Sequence, residues 1–246
     1  MNTLSTASDA PLVVITGASK GLGRSLCFRF AQAGFRLAIN ARKQQDLVQL
    51  CADIKKELPN ADIWYQVCDV CDKEQLARFA DALCQDFGQV QVLINNAGFY
   101  AEGSLCTEPD GLIEQMMQTN LYAPYYLTRF LLPLMQHNKG HRHIFNIGSI
   151  ASTRLLPDRA SYTISKQALH AFSQMLRNEL QASGIGVTSV LPGAIQTYSW
   201  EGGGGEMPPR SQIMSAESVA EAIYCAYTLA PHTIFEVLQI QAQLGL

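Results

Sequence analysis

The stretch from Leu12 to Gly23 reads LVVITGASKGLG, and it decides the fold. Leu12 to Thr16 is a short apolar run, which is typical of a buried β-strand. A turn rich in glycine follows and opens a helix that ends near Gly34. Glycines allow a tight turn and a close approach of backbone to phosphate, while a helix N-terminus offers N–H groups and the positive end of the helix dipole. The stretch therefore predicts a nucleotide-binding turn.

Short apolar runs and longer amphipathic segments alternate through the rest of the chain. The predicted strands are Leu12–Thr16, Leu37–Asn40, Ile63–Val67, Val92–Ile94, His143–Ile147, Val187–Leu191 and Phe235–Ile240, and the later predicted helices are Gln44–Leu58, Lys73–Phe87, Asp110–His137, Ser161–Ser183 and Glu217–Leu229. Alternation of this kind predicts the α/β class, with a single doubly wound parallel sheet, a Rossmann fold, of about seven strands and helices on both faces. Ligands of such sheets bind beyond the carboxyl ends of the strands, where the strand order reverses.

The length of 246 residues fits one α/β unit, since these often reach about 250 residues. We predict a flexible N-terminal tail over residues 1–10 and a single Rossmann-fold domain over residues 11–246. Because 48% of the residues are hydrophobic and only 16% are charged, a large buried core is expected.

Charge and hydropathy exclude several classes of partner. A net charge of −3 without clustered basic residues argues against nucleic acid. No apolar run reaches the roughly 18–20 residues that span a bilayer, and the polar start does not resemble a secretion signal. Seven scattered cysteines fit reduced thiols in a cytoplasm, and no metal site is predicted. Cys68 and Cys71 form a single CxxC pair, which leaves a redox or zinc function as a weaker alternative.

Six motifs follow one another in an order that identifies a family. They are the glycine turn TGxxxGxG from Thr16 to Gly23, NNAG from Asn95 to Gly98, the helical Asn120, Ser149 after the fifth predicted strand, YxxxK from Tyr162 to Lys166, and PGxxxT from Pro192 to Thr197. This order resembles the short-chain dehydrogenase/reductase family over Leu12 to Ile240. The resemblance implies hydride transfer between a nicotinamide cofactor and a small-molecule carbonyl or alcohol.

Tyr162 and Lys166 are four residues apart on a predicted helix and so share one face. A free phenol has a pKa of about 10, and a nearby ammonium lowers it toward the range of a useful acid/base. We therefore expect Lys166 to lower the pKa of Tyr162. The resemblance implies that Tyr162 gives its proton to the carbonyl oxygen, Ser149 holds that oxygen, Lys166 binds the nicotinamide ribose and Asn120 holds a water.

The resemblance also implies a set of residues along the cofactor. They are Gly17, Ser19, Lys20, Gly21, Leu22, Gly23, Asp69, Val70, Asn96, Ala97, Gly98, Tyr162, Lys166, Pro192, Gly193, Ile195 and Thr197. Asn96, Ala97 and Gly98 would pass under the adenine ribose, and Asp69 would contact the adenine. Asp69 could instead be the N-cap of a surface helix.

The end of the second predicted strand indicates NADP(H) rather than NAD(H). An acidic residue at this place would bind the 2′-hydroxyl of NAD, but the sequence has Asn40-Ala41-Arg42 instead. A guanidinium suits phosphate geometry, so Arg42 is expected to pair with the 2′-phosphate, with Lys20 as a second charge.

The substrate pocket is expected above the nicotinamide, with Tyr100, Leu155, Asp158, Tyr198 and Trp200 as candidate contacts. The segment from Leu191 to Trp200 is similar to bacterial sepiapterin-reductase-like members, which suggests a pterin substrate as an alternative. Glu201 to Arg210 contains four consecutive glycines and is interpreted as a substrate lid or a plain surface loop.

The family resemblance further implies a homodimer or homotetramer. Helical segments around Tyr125 to Met135 and Ala168 to Leu180 carry apolar residues on more than one face, as such an interface requires. A non-catalytic NADP-sensing regulator on the same fold is the alternative from another class. The presence of Ser149, Tyr162 and Lys166 argues against it.

Overall fold

The computed structural model describes residues 10–138, 140–196, 209–230 and 233–245. Strands and helices alternate along the chain. They are β1 (Leu12–Ile15), α1 (Gly21–Gln32), β2 (Arg36–Ala41), α2 (Gln44–Glu57), β3 (Ile63–Val67), α3 (Lys73–Asp86), β4 (Val92–Asn95), α4 (Leu112–Met117), α5 (Ala123–His137), β5 (Arg142–Ile147), α6 (Ala160–Leu180), β6 (Ile185–Pro192), α7 (Ala216–Tyr227) and β7 (Val237–Ile240). A π-helical turn, Gln118–Tyr122, joins α4 to α5.

All seven strands lie in one parallel sheet of order β3-β2-β1-β4-β5-β6-β7. The predicted α/β fold with a doubly wound sheet is thus confirmed. Ile15 of β1 pairs with Ile39 of β2 on one side and with Ile94 of β4 on the other. The strand order therefore reverses beside β1, and the loops after β1 and β4 meet there to form the crevice that such sheets use for ligands.

The central strands are buried on both faces because side chains alternate along each strand. Val13 and Ile15 pack in the layer that contains α1, α2 and α7. Leu12 and Val14 pack on the opposite face, in the layer that contains α3, α5 and α6. This two-sided burial explains why the strand reads as a continuous apolar run.

The long helix expected over Asp110–His137 is shorter and carries a π turn. Gly111 precedes α4 with φ of +86°, a left-handed conformation that glycine tolerates and that sets the start of the helix. Pro133 lies inside α5, which continues to His137. In the described ranges, no helix combines the length and the apolar character needed to cross a membrane.

Candidate active site

The turn after β1 has room for backbone alone at two positions. Gly17 has φ of +63°, and a Cβ placed there would lie 2.9 Å from the Cα of Ala97. A Cβ on Gly23 would lie 2.3 Å from the carbonyl oxygen of Gly17. Helix α1 begins at Gly21, and the first N–H groups of a helix have no acceptor within it. The turn is thus shaped to bring backbone donors close to a phosphate.

Asn96 joins this turn to the end of β4. Its Nδ2 donates to the carbonyl oxygens of Thr16 at 2.8 Å and Gly17 at 3.1 Å. In return, the Thr16 hydroxyl accepts from the backbone N–H groups of Asn96 and Ala97, each at 3.0 Å. The sequence predicted Asn96 only as a cofactor contact, because spacing shows a strand end but not where an amide side chain points.

A cleft of about 950 Å³ opens beside the turn, and most of the predicted cofactor residues form its walls. These wall residues are Gly17, Ser19, Lys20, Gly21, Leu22, Gly23, Arg42, Asp69, Val70, Asn96, Ala97, Gly98, Tyr162, Lys166, Pro192, Gly193 and Ile195, together with the predicted catalytic Ser149. The remaining member of the set, Thr197, lies outside the described residues.

The end of β2 carries no carboxylate on the cleft wall, as the sequence indicated. Instead, the Oδ1 of Asn40 accepts from the backbone N–H of Gly17 at 3.3 Å. The exposed Arg42 follows at the mouth of the cleft. Asp46, which the sequence analysis overlooked, also lines the cleft, and its Oδ2 lies 3.8 Å from the Nζ of Lys20. Asp46 could have been found from the sequence as an acidic residue in the first turn of the helix that follows β2.

Asp69 follows β3 and lines the cleft, with its Oδ1 accepting from the backbone N–H of Cys71 at 3.0 Å. The N-cap of α3 is Asp72, whose carboxylate accepts from the backbone N–H groups of Glu74 and Gln75. Asp69 is therefore not the helix cap that the sequence left open.

Tyr162 lies in the first turn of α6, close to Ser149, which caps the short turn after β5. Burial raises the pKa of Tyr162 above that of a free phenol, while hydrogen bonding with Ser149 and the positive charge of Arg159 act to lower it. The net direction is opposite to the predicted one. Lys166 is not among the groups that lower the pKa of Tyr162, and its Nζ is 5.8 Å from the centre of the Tyr162 ring.

Lys166 is buried, and its Nζ donates to the carbonyl oxygen of Ile147 at 2.9 Å. Removal from water disfavours the charged form and lowers the pKa of Lys166 to about 8. The prediction that Lys166 would pull down the pKa of Tyr162 was wrong because spacing along a helix does not show burial.

Asn120 lies in the π turn, fully buried behind the cleft wall. Its Oδ1 accepts from the backbone N–H of Phe99 at 2.8 Å, and its Nδ2 donates to the Phe99 carbonyl and to the Ser165 hydroxyl, each at 2.9 Å. A Cβ on Gly98 would lie 3.4 Å from this Oδ1 and 3.6 Å from the Nζ of Lys166. Asn120 and Lys166 thus approach the same point from two elements.

Tyr100 and Arg159 line the cleft and form, together with Glu102, a group that we call the Tyr100–Glu102–Arg159 cluster. The Tyr100 hydroxyl donates to Oε1 of Glu102 at 2.7 Å and accepts from Nε of Arg159 at 2.9 Å, and Nη2 of Arg159 donates to the same Oε1 at 2.8 Å. The Tyr100 ring meets the Tyr162 ring edge-on, with centroids 4.9 Å apart. Glu102 is only two residues from Tyr100, whereas Arg159 comes from a segment 59 residues farther along the chain, and the sequence does not show that the three side chains meet.

Two other predicted substrate contacts are placed elsewhere. Leu155 is 81% exposed, and the described part of the cleft wall includes Leu156 instead. Asp158 adopts a left-handed φ of +54°, and its carbonyl accepts from the backbone N–H of Gly103 at 2.8 Å, so it shapes the chain before α6. The predicted contacts Tyr198 and Trp200, and most of the glycine-rich segment, lie outside the described residues.

Cys68 and Cys71 both line the cleft and both have free thiols. Burial raises the pKa of Cys71 and raises that of Cys68 to about 12. A thiol held in its protonated form is a poor nucleophile, so the surroundings of this pair do not favour the redox alternative.

The parallel sheet with reversed strand order, the glycine turn and the Ser149–Tyr162 pair define a Rossmann-type oxidoreductase. A family model described as short chain dehydrogenase matches residues 11–202. The chain belongs to this short-chain dehydrogenase/reductase family, and it is therefore an enzyme of the oxidoreductase class.

Among curated relatives, the chain is 36% identical over 190 residues to "Dehydrogenase/reductase SDR family member 7B" of Bos taurus, covering 76% of this chain but only 58% of that protein. It is 30% identical over 241 residues to "Sulfoacetaldehyde reductase 2" of Chromohalobacter salexigens, covering 93% of each. Among solved structures, an alcohol dehydrogenase from Thermococcus sibiricus complexed with 5-hydroxy-NADP superposes with a TM-score of 0.87 at 25% identity, over 96% of this chain and 97% of that one.

Proposed function

We propose that the protein is an NADP(H)-dependent reductase that converts a carbonyl group of a small molecule to an alcohol, with Tyr162 as the proton donor. The supporting observation is the Ser149–Tyr162 pair beside a turn that only backbone can occupy. NADPH supplies the hydride when bound. The fit of the site to a dinucleotide rests on the cleft of about 950 Å³ beside a turn whose Gly17 and Gly23 pack too closely on neighbouring protein atoms to carry a side chain.

In this proposal the substrate oxygen lies between the hydroxyl groups of Ser149 and Tyr162. Ser149 donates a hydrogen bond to the oxygen, and Tyr162 transfers its proton as negative charge develops there. Because burial raises the pKa of Tyr162, the phenol is protonated at neutral pH, which is the form that reduction requires. Lys166 would hold the ribose and Asn120 a relay water, as the family resemblance implies.

We propose NADP(H) rather than NAD(H) because Arg42 occupies the mouth of the cleft and the end of β2 has no carboxylate. The Thermococcus sibiricus enzyme with a bound NADP derivative supports the same choice. The test is the rate with NADPH and with NADH at equal concentration on one substrate. A preference for NADH would contradict the proposal.

The substrate is proposed to be a small carbonyl compound. A relative named sulfoacetaldehyde reductase, matched over 93% of both chains, makes short polar aldehydes the first class to test. A panel of such aldehydes, diketones, quinones, acyl thioesters and sepiapterin, with NADPH consumption as the readout, separates the classes. The pterin alternative gains its support if sepiapterin is consumed fastest; no NADPH-linked turnover across the panel would instead favour the NADP-sensing regulator.

We further propose a homodimer or homotetramer of one oxidoreductase domain over residues 11–246. Helices α5 and α6 leave an exposed apolar surface that includes Tyr125, Ile164 and Met175. Such a patch fits a subunit interface better than it fits water. Light scattering during gel filtration would give the oligomeric state, and a monomer at micromolar concentration would contradict this proposal. The seven cysteines are all described with free thiols, which supports a cytoplasmic location.

A further inference from the structure

The Tyr100–Glu102–Arg159 cluster is closed on itself and lies against the proposed proton donor. Three hydrogen bonds link its members, and the edge-on contact of Tyr100 and Tyr162 transmits its position to the donor ring. Arg159 immediately precedes α6, one helical turn before Tyr162, so the two side chains leave neighbouring points of the helix start. The ion pair of Arg159 and Glu102 is only about one-third exposed on each side.

The cluster is carried by a loop that is anchored independently. The backbone N–H of Gly103 donates to the Asp158 carbonyl at 2.8 Å, and that of Ala160 donates to the Gly103 carbonyl at 3.0 Å. Farther along the same loop, Oε1 of Glu108 accepts from the Ser161 hydroxyl at 2.6 Å. These contacts hold the loop on α6 without Glu102, so replacing the Glu102 carboxylate by an amide leaves the anchoring in place.

The charged and titratable groups around Tyr162 come from three directions. Helix α6 contributes Lys166, which burial drives toward its neutral form. The residue before α6 is Arg159, and the loop after β4 supplies Tyr100 and Glu102, with Glu108 farther off beyond Ser161. Burial raises the pKa of Tyr162, and among these charges it is Arg159 that lowers it.

We propose that Arg159 and Glu102 are positioning residues for the proton donor: together they fix the Tyr100 ring against Tyr162, and their opposed charges set the pH at which Tyr162 ionises. This inference rests on the proposed function, in which Tyr162 is the acid. The guanidinium favours the phenolate, and the Glu102 carboxylate is paired with that guanidinium and so partly neutralises its charge. Removing one charge at a time therefore moves the ionisation of Tyr162 in opposite directions.

The experiment is an ultraviolet difference titration of tyrosinate on the protein without substrate. Each background is paired with the same background carrying Tyr162→Phe, so the difference isolates Tyr162. At one fixed alkaline pH, with folding verified by circular dichroism, the ionised fraction should be greatest in Glu102→Gln, intermediate in the wild type and smallest in Arg159→Gln. The midpoints should separate by about half a pH unit to one unit, since close charges shift a pKa by about one to three units and partial exposure weakens them.

Two control variants separate charge from packing. In Arg159→Lys the charge is kept, so Tyr162 should ionise as in the wild type. Arg29→Gln removes an ion pair with Glu221 that joins α1 to α7 away from the cleft, and it should also leave the ionisation of Tyr162 unchanged. Equal ionised fractions in all variants, or displacement in the same direction for Glu102→Gln and Arg159→Gln, would overturn the inference. Failure of the proposed function is a separate result: turnover that survives Tyr162→Phe.

Discussion

The two halves of the cleft differ in whether backbone packing or side-chain contacts determine their shape. The cofactor half is built on backbone that packs too closely at Gly17 and Gly23 for a side chain, and the Asn96 amide ties this turn to the end of β4. The substrate half, around Tyr100 and Arg159, consists of long side chains from separate segments that meet through hydrogen bonds and charge. The first half should therefore be sensitive to added volume, and the second to a change of charge.

The largest effect is expected at Tyr162, where the two halves meet. Tyr162→Phe removes the proposed proton donor and should lower kcat by about 100- to 10,000-fold, the usual contribution of general acid–base catalysis. NADPH binding, measured by fluorescence titration, should stay close to that of the wild type because the glycine turn is untouched. Tyr65→Phe, on the outer strand β3, serves as the matched control. Turnover that survives the loss of the hydroxyl would remove Tyr162 from the mechanism.

Added volume is tested by comparing Gly17→Ala with Gly34→Ala. Both positions have positive φ, +63° and +81°, so both variants should lose about 1–2 kcal/mol of stability from backbone strain. Only Gly17 faces a neighbouring Cα at 2.9 Å, whereas nothing lies within 4 Å of a Cβ on Gly34.

Gly17→Ala should therefore lose about 1–3 kcal/mol more, because the surrounding backbone must shift. It should also bind NADPH less tightly, while Gly34→Ala binds it normally. Thermal unfolding and cofactor titration measure the two effects. Equal losses in both variants would mean that the close approach of Gly17 to Ala97 has no energetic importance.

The cofactor half also contains one position where charge should matter. Arg42→Ala should weaken NADPH binding by about 10- to 100-fold, since a hydrogen bond to a charged group contributes about 1.5–3 kcal/mol. NADH binding should hardly change, which makes the ratio of the two dissociation constants an internal control. If both constants rise together, Arg42 supports the cleft in general and not the 2′-phosphate.

The smallest effect is expected for Lys166→Met, measured as stability. Burial lowers the pKa of Lys166 from 10.5 to about 8, so the folded protein carries a penalty for the charged form. Below pH 8 both folded and unfolded states are protonated and the penalty is complete; between pH 8 and 10.5 the unfolded state binds more protons, so the wild type gains stability as the pH rises.

The variant loses this penalty and should therefore be more stable than the wild type at pH 7. The net gain should be only about 1 kcal/mol, because the Ile147 carbonyl also loses its hydrogen-bond donor. This advantage should shrink toward pH 10. Urea unfolding at a series of pH values gives the comparison. A constant difference across the series would show that Lys166 titrates normally, and catalysis should be lost in either case.

The contrast between the halves also explains what the sequence could predict. The glycine turn and the strand ends were found because a continuous apolar run and the need for glycine are local signals, readable at Gly17 or Gly23 from neighbours in the chain. The residues of the cofactor wall were predicted from the family resemblance that the six motifs carry. Neither the local signals nor the resemblance could show that the Asn96 side-chain amide donates its hydrogen bonds to the turn itself.

Arg159 meets Tyr100 and Glu102 across 59 and 57 residues of chain. No sequence spacing around Arg159 or around Tyr100 predicts that these side chains meet, so only the three-dimensional structure shows the cluster. The direction of the Tyr162 pKa was missed for a related reason. It depends on how much water surrounds the phenol, and solvent exposure is a property of the whole fold.

The π turn at Gln118–Tyr122 has a consequence for the geometry of the helical run from Leu112 to His137. Asn120, within the π turn itself, accepts a hydrogen bond from Phe99, while Leu127 and Leu131 of the downstream α5 pack in the core beside the sheet. Each residue of an α-helix advances the azimuth by about 100°, and a π turn accommodates one residue more than an α turn. Because the extra residue is taken up within about one turn, deleting a single residue there would restore an ordinary helix with its two ends still in phase. The π turn therefore lets one helical run carry the polar Asn120 without turning the apolar side of α5 away from the sheet.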